Sequence, residues 1–517
     1  MKSNRRLPGL ATLLLASALS TSQSGAATFT WDGGGNGTDL GQSSNWSPDG
    51  IAVASDILQW NGTVAGPLAL DYITTQTGFN TSPGISISLT SAQTGSLVIN
   101  GQNSALRLNG SGITIASGAG AFSLGNGSVT SNITIFNGAM AMTNNSSNAA
   151  TIASDVVFAT TSAAISTFNF AGSGNWNVNT NLRSTNNNGA NVVNATGTGT
   201  LFMNAANTYT GGTNLNVTGG NSRIRATATG ALGSGAVFIA GNSGSNRLEV
   251  AGGITLNNAL NVNGKTSAVG ASAAILNVSG NNTLGGTITL NVGGTDSTIQ
   301  SDADLLTLSA ATAVTHGATG ARGVLFTGDG DIAVTGNVAQ GGATLALYKQ
   351  GAGTLTLSGT NNTYTGATTV SAGTLLVNGS LNNTAVSVAA AATIAGTGSL
   401  GGTLALDGAS FLEVKDLSDA LTVAGTITFG TGFGISNLTG IDWSSLNLNA
   451  PYTVISTTQS FSASDIGNFG IGNAASVGDG RFAYFDNGSL AVVVIPEPTS
   501  ALLGGLGALM LLRRRRI

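Results

Sequence analysis

The chain has 517 residues, of which 7% are charged and 5% aromatic, with 77 glycines, 7 prolines, no cysteine and the single histidine His316. Absent cysteine excludes a disulfide framework and thiolate metal sites; few prolines and no glycine triplet exclude collagen; 41% hydrophobic residues with so few charges exclude a disordered chain. Seven of the 17 basic residues sit at the two ends and 20 of the 21 acids lie between them, so the body carries a net charge of about −10 without a basic stripe, a poor partner for nucleic acid.

Residues 1–27 read as a secretory signal peptide. Lys2, Arg5 and Arg6 form the charged start, Leu10 to Leu19 the apolar core, and Ser24-Gly25-Ala26-Ala27 a small-residue cleavage region, with cleavage expected before Ala27 or Thr28. The ten-residue apolar core is short for a membrane span.

Residues 28–83 are rich in tryptophan and glycine: Trp31-Asp32-Gly33-Gly34-Gly35, Asn45-Trp46 and Trp60. The end of a repeat array needs covering, so an N-terminal cap is expected here. The alternative is a carbohydrate-stacking platform, because aromatic faces suit sugar rings.

Residues 84–400 alternate polar and apolar residues in short runs, as in Ile85-Ser86-Ile87-Ser88-Leu89, Ile113-Thr114-Ile115, Ile133-Thr134-Ile135-Phe136 and Thr354-Leu355-Thr356-Leu357. Each predicts a strand with one apolar face. Asn100-Gly101, Asn109-Gly110, Asn126-Gly127 and Asn378-Gly379 separate them and predict tight turns with positive φ. Proline occurs at positions 8, 48, 67, 83, 451, 496 and 498 and nowhere in 84–450. Proline lacks the ladder donor, so its absence fits strands paired on both sides. Stacking such turns about 4.8 Å apart pairs the backbone and buries a continuous interior. At roughly 20 residues per turn, some 400 residues predict a rod on the order of 100 Å, with rows of Asn and Thr stacking as ladders.

Two segments are related. Gly197-Thr198-Gly199-Thr200-Leu201 leads to Asn207-Thr208-Tyr209-Thr210-Gly211-Gly212-Thr213; Gly351-Ala352-Gly353-Thr354-Leu355 leads to Asn362-Thr363-Tyr364-Thr365-Gly366-Ala367-Thr368 and Gly373-Thr374-Leu375. This resembles the autotransporter-associated β-helix repeat, the passenger-associated transport repeat, most clearly at 347–378 and more loosely at 197–235. The resemblance implies a right-handed parallel β-helix. An autotransporter passenger would also carry an outer-membrane barrel of a dozen strands, and residues 401–494 are too few for one. Their aromatic residues, Phe429, Phe433, Trp443, Tyr452, Phe461, Phe469, Phe482, Tyr484 and Phe485, predict a C-terminal β region or cap.

Residues 495–517 hold three parts in order: Pro496-Glu497-Pro498, an apolar run from Ala501 to Leu512, and Arg513, Arg514, Arg515 and Arg516. This is similar to the PEP-CTERM sorting signal of exported Gram-negative proteins. The resemblance implies a short hydrophobic tail helix, transient inner-membrane anchoring with the arginines in the cytoplasm, and processing of the tail by an exosortase-type enzyme so that the body reaches the cell surface or matrix. It also implies exopolysaccharide or cell-surface glycans as partners.

Candidate chemistry is sparse. His316 has no second histidine or cysteine with which to form familiar zinc or nucleophile sites. Two i,i+2 acid pairs, Asp302/Asp304 and Asp329/Asp331, would share a strand face and lie at a separation suited to glycoside hydrolysis, with Arg322 the nearest cation. Gly328-Asp329-Gly330-Asp331 is similar to a single calcium nonapeptide, a motif that works in consecutive copies. The sequence therefore predicts an all-β parallel solenoid, exported, surface- or matrix-associated, structural or adhesive, and non-enzymatic, with no metal or cofactor. The rival is a polysaccharide-degrading enzyme using the paired aspartates.

Overall fold

The computed structural model describes residues 26–73, 84–102, 106–125, 133–135, 139–153, 156–158, 167–184, 190–215, 221–241, 246–264, 272–291, 296–317, 319–486 and 490–497. Residues 1–25 of the expected signal peptide and the tail from Pro498 onward, with the expected tail helix, lie outside these residues. Among the described residues there is no α-helix, only strands and three-residue 3₁₀ turns.

The chain winds as a three-sided parallel β-solenoid. Strands Asp296–Ser301, Leu305–Leu308 and Thr312–His316 make the three sides of one turn. The next turn, Arg322–Thr327, Asp331–Val334 and Asn337–Ala339, lies on it side by side, each strand parallel to its predecessor. One side alone is a 16-stranded ladder. At about 4.8 Å per strand that ladder is about 70 Å long, shorter than expected from sequence. Many turns consume more than 20 residues: stacked Leu201, Ile224, Leu248 and Ile275 are 23, 24 and 27 apart (224 − 201, 248 − 224, 275 − 248). Other turns are tighter, with Leu355, Leu375, Ile394 and Leu412 spaced 20, 19 and 18 (375 − 355, 394 − 375, 412 − 394).

The period-two pattern explains why these residues form these strands. In Thr354–Leu357 the leucines are buried and the threonines half-buried, and the same alternation recurs in Thr374–Val377. Inward residues stack into columns, such as Trp176, Leu201, Ile224, Leu248, Ile275, Ile299 and Phe326. A single turn buries little; the stack supplies one continuous core.

Parallel pairing begins before residue 84 and continues past residue 400. Thr28–Trp31 lies on Ile57–Trp60, which lies on Ile85–Leu89. At the other end, Leu404–Leu406 pairs with Ile427–Phe429, and Leu421–Val423 with Ile455–Ser456. A four-stranded antiparallel sheet then follows in the order Pro451–Thr453, Ala491–Pro496, Arg481–Asp486, Ala475–Gly478. Phe429, Phe433 and Phe461 pack ring against ring where the parallel turns end.

Many corner glycines, among them Gly328, Gly351 and Gly373, have the positive φ expected from sequence, but others are there for a different reason. Gly379, of the pair Asn378-Gly379, has no positive φ; a Cβ there would stand 2.0 Å from the Gly359 carbonyl oxygen. That oxygen accepts the ladder bond from the Ser380 amide at 2.9 Å. Gly359 sits likewise on Gly336, and Gly398 on Gly379. The corner is a column of backbones stacked too closely for side chains.

Candidate functional site

The related segments form corners that stitch turns together. Asn362 is fully buried. Its Oδ1 accepts from the Val338 amide in the preceding turn at 2.7 Å, and its Nδ2 donates to Gly359 O in its own turn and Ser380 O in the next, at 2.8 and 2.9 Å. Asn207 repeats the pattern, accepting from Leu182 N and donating to Ala205 O and Ala231 O. Two residues on, Tyr209 and Tyr364 are fully buried, their hydroxyls bonded to Thr213 and Thr368 at 2.6 and 2.8 Å. Burial pushes both phenols well above the ordinary tyrosine range. The buried asparagine, tyrosine and final threonine of the motif thus have their polar groups occupied inside the solenoid, while Thr208, Thr210 and Thr365 face outward. The buried part of the motif builds the fold.

The outward faces carry the ladders expected from sequence. One continuous outward row runs Asn169, Asn194, Asn214, Phe238, Asn261, Thr289, Thr315. Asn194 donates to Asn169 at 2.8 Å and Asn214 to Asn194 at 2.9 Å. All seven side chains are half-buried. A second stack joins Asn204 to Asn179 at 2.8 Å, with Thr227 donating to Asn204 at 2.7 Å. In the first row, amide groups at one-turn spacing flank one phenyl face, an arrangement suited to hydroxyl-rich polymers.

The acid pairs are not disposed as the sequence suggested. Asp302 and Asp304 follow the strand Asp296–Ser301 in a corner, and Asp304 has φ 58°. Asp329 lies in the next corner up, and Asp331 opens the strand Asp331–Val334. Neither pair lies within one strand, so the shared-face premise does not hold. The corners do stack, with the Asp331 amide donating to Asp304 O at 2.9 Å. The Asp304 carboxylate accepts from Gly280 N and the Asp331 carboxylate from Thr354 N, at 2.7 and 2.8 Å. Corner asparagines do the same: Asn281 accepts from Leu305 N and Asn175 from Thr200 N. Gln300 donates to Asp302. Among the described residues no group of three or more potential ligands could hold a metal ion.

His316 is buried, stacked on Leu290. Neither ring nitrogen has a carboxylate as hydrogen-bond partner. Burial first and the Arg322 cation second hold its pKa below the usual histidine range, against a weaker opposing contribution from the Gly320 backbone.

Lys349 was not singled out from the sequence. Its alternation with Leu345 and Leu347 puts it on the inward face, in register on Phe326 and under Val370. It is buried, and Nζ donates to Gln350 O, Gly351 O and Ala372 O at 2.8, 2.8 and 3.1 Å. Burial pushes its pKa down to about 8, with Asp331 opposing. It ties a corner of one turn to the next.

The N-terminal tryptophans provide no sugar platform. Trp31, Trp46 and Trp60 are at most 1% exposed and pack on one another with ring centroids 5.0–6.4 Å apart. Trp46–Ser47 pairs antiparallel with Thr28–Trp31, and the Trp46 Nε1 donates to Leu40 O at 2.9 Å. At the other end, Pro496 is the exposed last residue of Ala491–Pro496, and the Glu497 amide donates to Gly480 O at 2.8 Å. Pro498 and the four arginines lie outside the described residues.

The family model of the passenger-associated transport repeat matches residues 193–220 and 347–377. These matches hold Asn207, Tyr209 and Thr213, and Asn362, Tyr364 and Thr368. No curated protein and no solved structure matches the chain. The chain is a three-sided parallel β-solenoid that carries two passenger-associated transport repeats.

Proposed function

We propose that this is an exported, surface- or matrix-associated structural protein that holds polysaccharide along the outside of its solenoid and has no catalytic role. The signal peptide and the Pro496-Glu497-Pro498 tail direct it, with an exosortase-type enzyme processing the tail after transient inner-membrane anchoring. Passenger-associated repeats on a β-solenoid fit a surface-displayed protein. The winding is right-handed, the sense that parallel crossovers adopt in nearly all cases. The Trp31, Trp46 and Trp60 cluster acts as the N-terminal cap and the antiparallel sheet as the C-terminal one.

The observation that carries the binding role is the outward row of three bonded asparagines continued by Phe238 and Asn261. Amide groups hydrogen-bond sugar hydroxyls, and a phenyl face supports a sugar ring. The non-enzymatic reading is supported by the occupation of Asp304 and Asp331 in ladder bonds between turns.

The purified protein is expected to co-sediment with extracellular polysaccharide of the producing cells. Phe238→Ala should weaken that binding about tenfold, on the order of 1.4 kcal/mol, without moving the unfolding midpoint much. Equal binding by wild type and Phe238→Ala would remove the row from the account. Shortening of the polymer, abolished by Asp304→Asn or Asp331→Asn, would favour the degrading enzyme instead.

A further inference from the structure

We infer that the first turn of the solenoid is built to receive the amino terminus that export creates, and that the scissile bond is Ala26–Ala27. The inference rests on the export reading and goes beyond it by choosing between the two cleavage positions. Asp56 is buried, 6% exposed, at the solenoid's N-terminal end. Its carboxylate accepts from the Ala27 nitrogen at 2.8 Å and from the Val53 nitrogen at 2.7 Å. Among the described residues no lysine, arginine or histidine pairs with it. A buried carboxylate ordinarily has a cation.

The Ala27 carbonyl is also fixed, accepting from Ile57 N at 2.8 Å. Residue 27 is therefore held on both sides, immediately before the first strand, Thr28–Trp31. Hydrolysis of the Ala26–Ala27 amide by a signal peptidase adds one water, leaving a carboxylate on Ala26 and an ammonium on Ala27. The nitrogen already 2.8 Å from Asp56 then becomes a cation with three donors. Charge-assisted bonds of this kind are about twice as strong as neutral ones. Cleavage one residue later would remove the donor altogether. Ser24 and Ala26 supply small residues on the leader side of the bond.

Export thus completes the first turn: the charge that Asp56 lacks in the precursor is made by removal of the leader. N-terminal sequencing of the exported full chain should return Ala27 as the first residue. A start at Thr28 would overturn the inference while leaving export intact, and a product retaining Met1 to Ala26 would overturn the leader itself. As a second arm, selective acetylation of the α-amine should lower the unfolding midpoint of the wild type and leave that of Asp56→Asn unchanged. Equal loss in both proteins would show that the ammonium does not act through Asp56.

Discussion

Replacing Asn362 with leucine is expected to destabilise the solenoid by about 3 kcal/mol or more, although the two side chains are of similar size. The loss is in hydrogen bonding. The asparagine satisfies Val338 N, Gly359 O and Ser380 O, three backbone groups from three successive turns. Leucine removes the side-chain partner of Val338 N and leaves Gly359 O and Ser380 O with only the Ser380 and Asn362 amides. An unpaired polar group inside the core costs about 1–3 kcal/mol, and each further lost bond adds about 1 kcal/mol. Because each turn touches only its neighbours, the damage should be local. Hydrogen exchange should show amides of 337–339 and 380–381 losing protection first, with those of 237–239 unaffected. The neighbouring Asn361 is exposed, and Asn361→Ala should stay within about 0.5 kcal/mol of wild type. Similar losses for the two substitutions would mean that Asn362 does not have this role.

Gly379→Val should be at least as damaging, by a different cause. A Cβ at 379 would stand 2.0 Å from Gly359 O and 2.6 Å from Gly359 C. Both are backbone atoms of the turn below, and that oxygen accepts the Ser380 amide. The turns must separate locally, breaking ladder bonds on that side. Overpacking alone costs about 1–3 kcal/mol, and each broken ladder bond adds about 1 kcal/mol, so a loss of about 3 kcal/mol is expected. Gly472, by contrast, has no heavy atom within 4 Å of where its Cβ would be. Gly472→Ala should leave the denaturation midpoint unchanged. A Gly379→Val protein as stable as wild type would mean that the corner column is not stacked as described.

Strand identity was legible because the side-chain period is two and the interior is apolar. Ile85–Leu89, Ile133–Ile135 and Thr354–Leu357 appear where alternation puts them. The related segments were legible because Asn, Tyr and Thr at fixed spacing form one corner with one set of bonds. Turn length was not legible, since corners absorb differing numbers of residues without altering the stacking. Nor was the fate of the tryptophans, because a sequence does not say whether an indole covers the end of a core or faces solvent. Aspartates two apart suggested a shared face, yet the strand ends at Ser301, before Asp302, and the premise fails there. Lys349 was overlooked because a charge inside an apolar alternation looks like a solvated exception. It is held instead by three carbonyls that the sequence cannot place around it.

The proposed route to the surface depends on both termini, and the intact mass of protein recovered from the outside of cells tests both together. The expected product begins at Ala27, retains the solenoid and the antiparallel sheet through Ala491–Pro496, and lacks Arg513 to Arg516. A surface product that still carries Arg513 to Arg516 would contradict the sorting account.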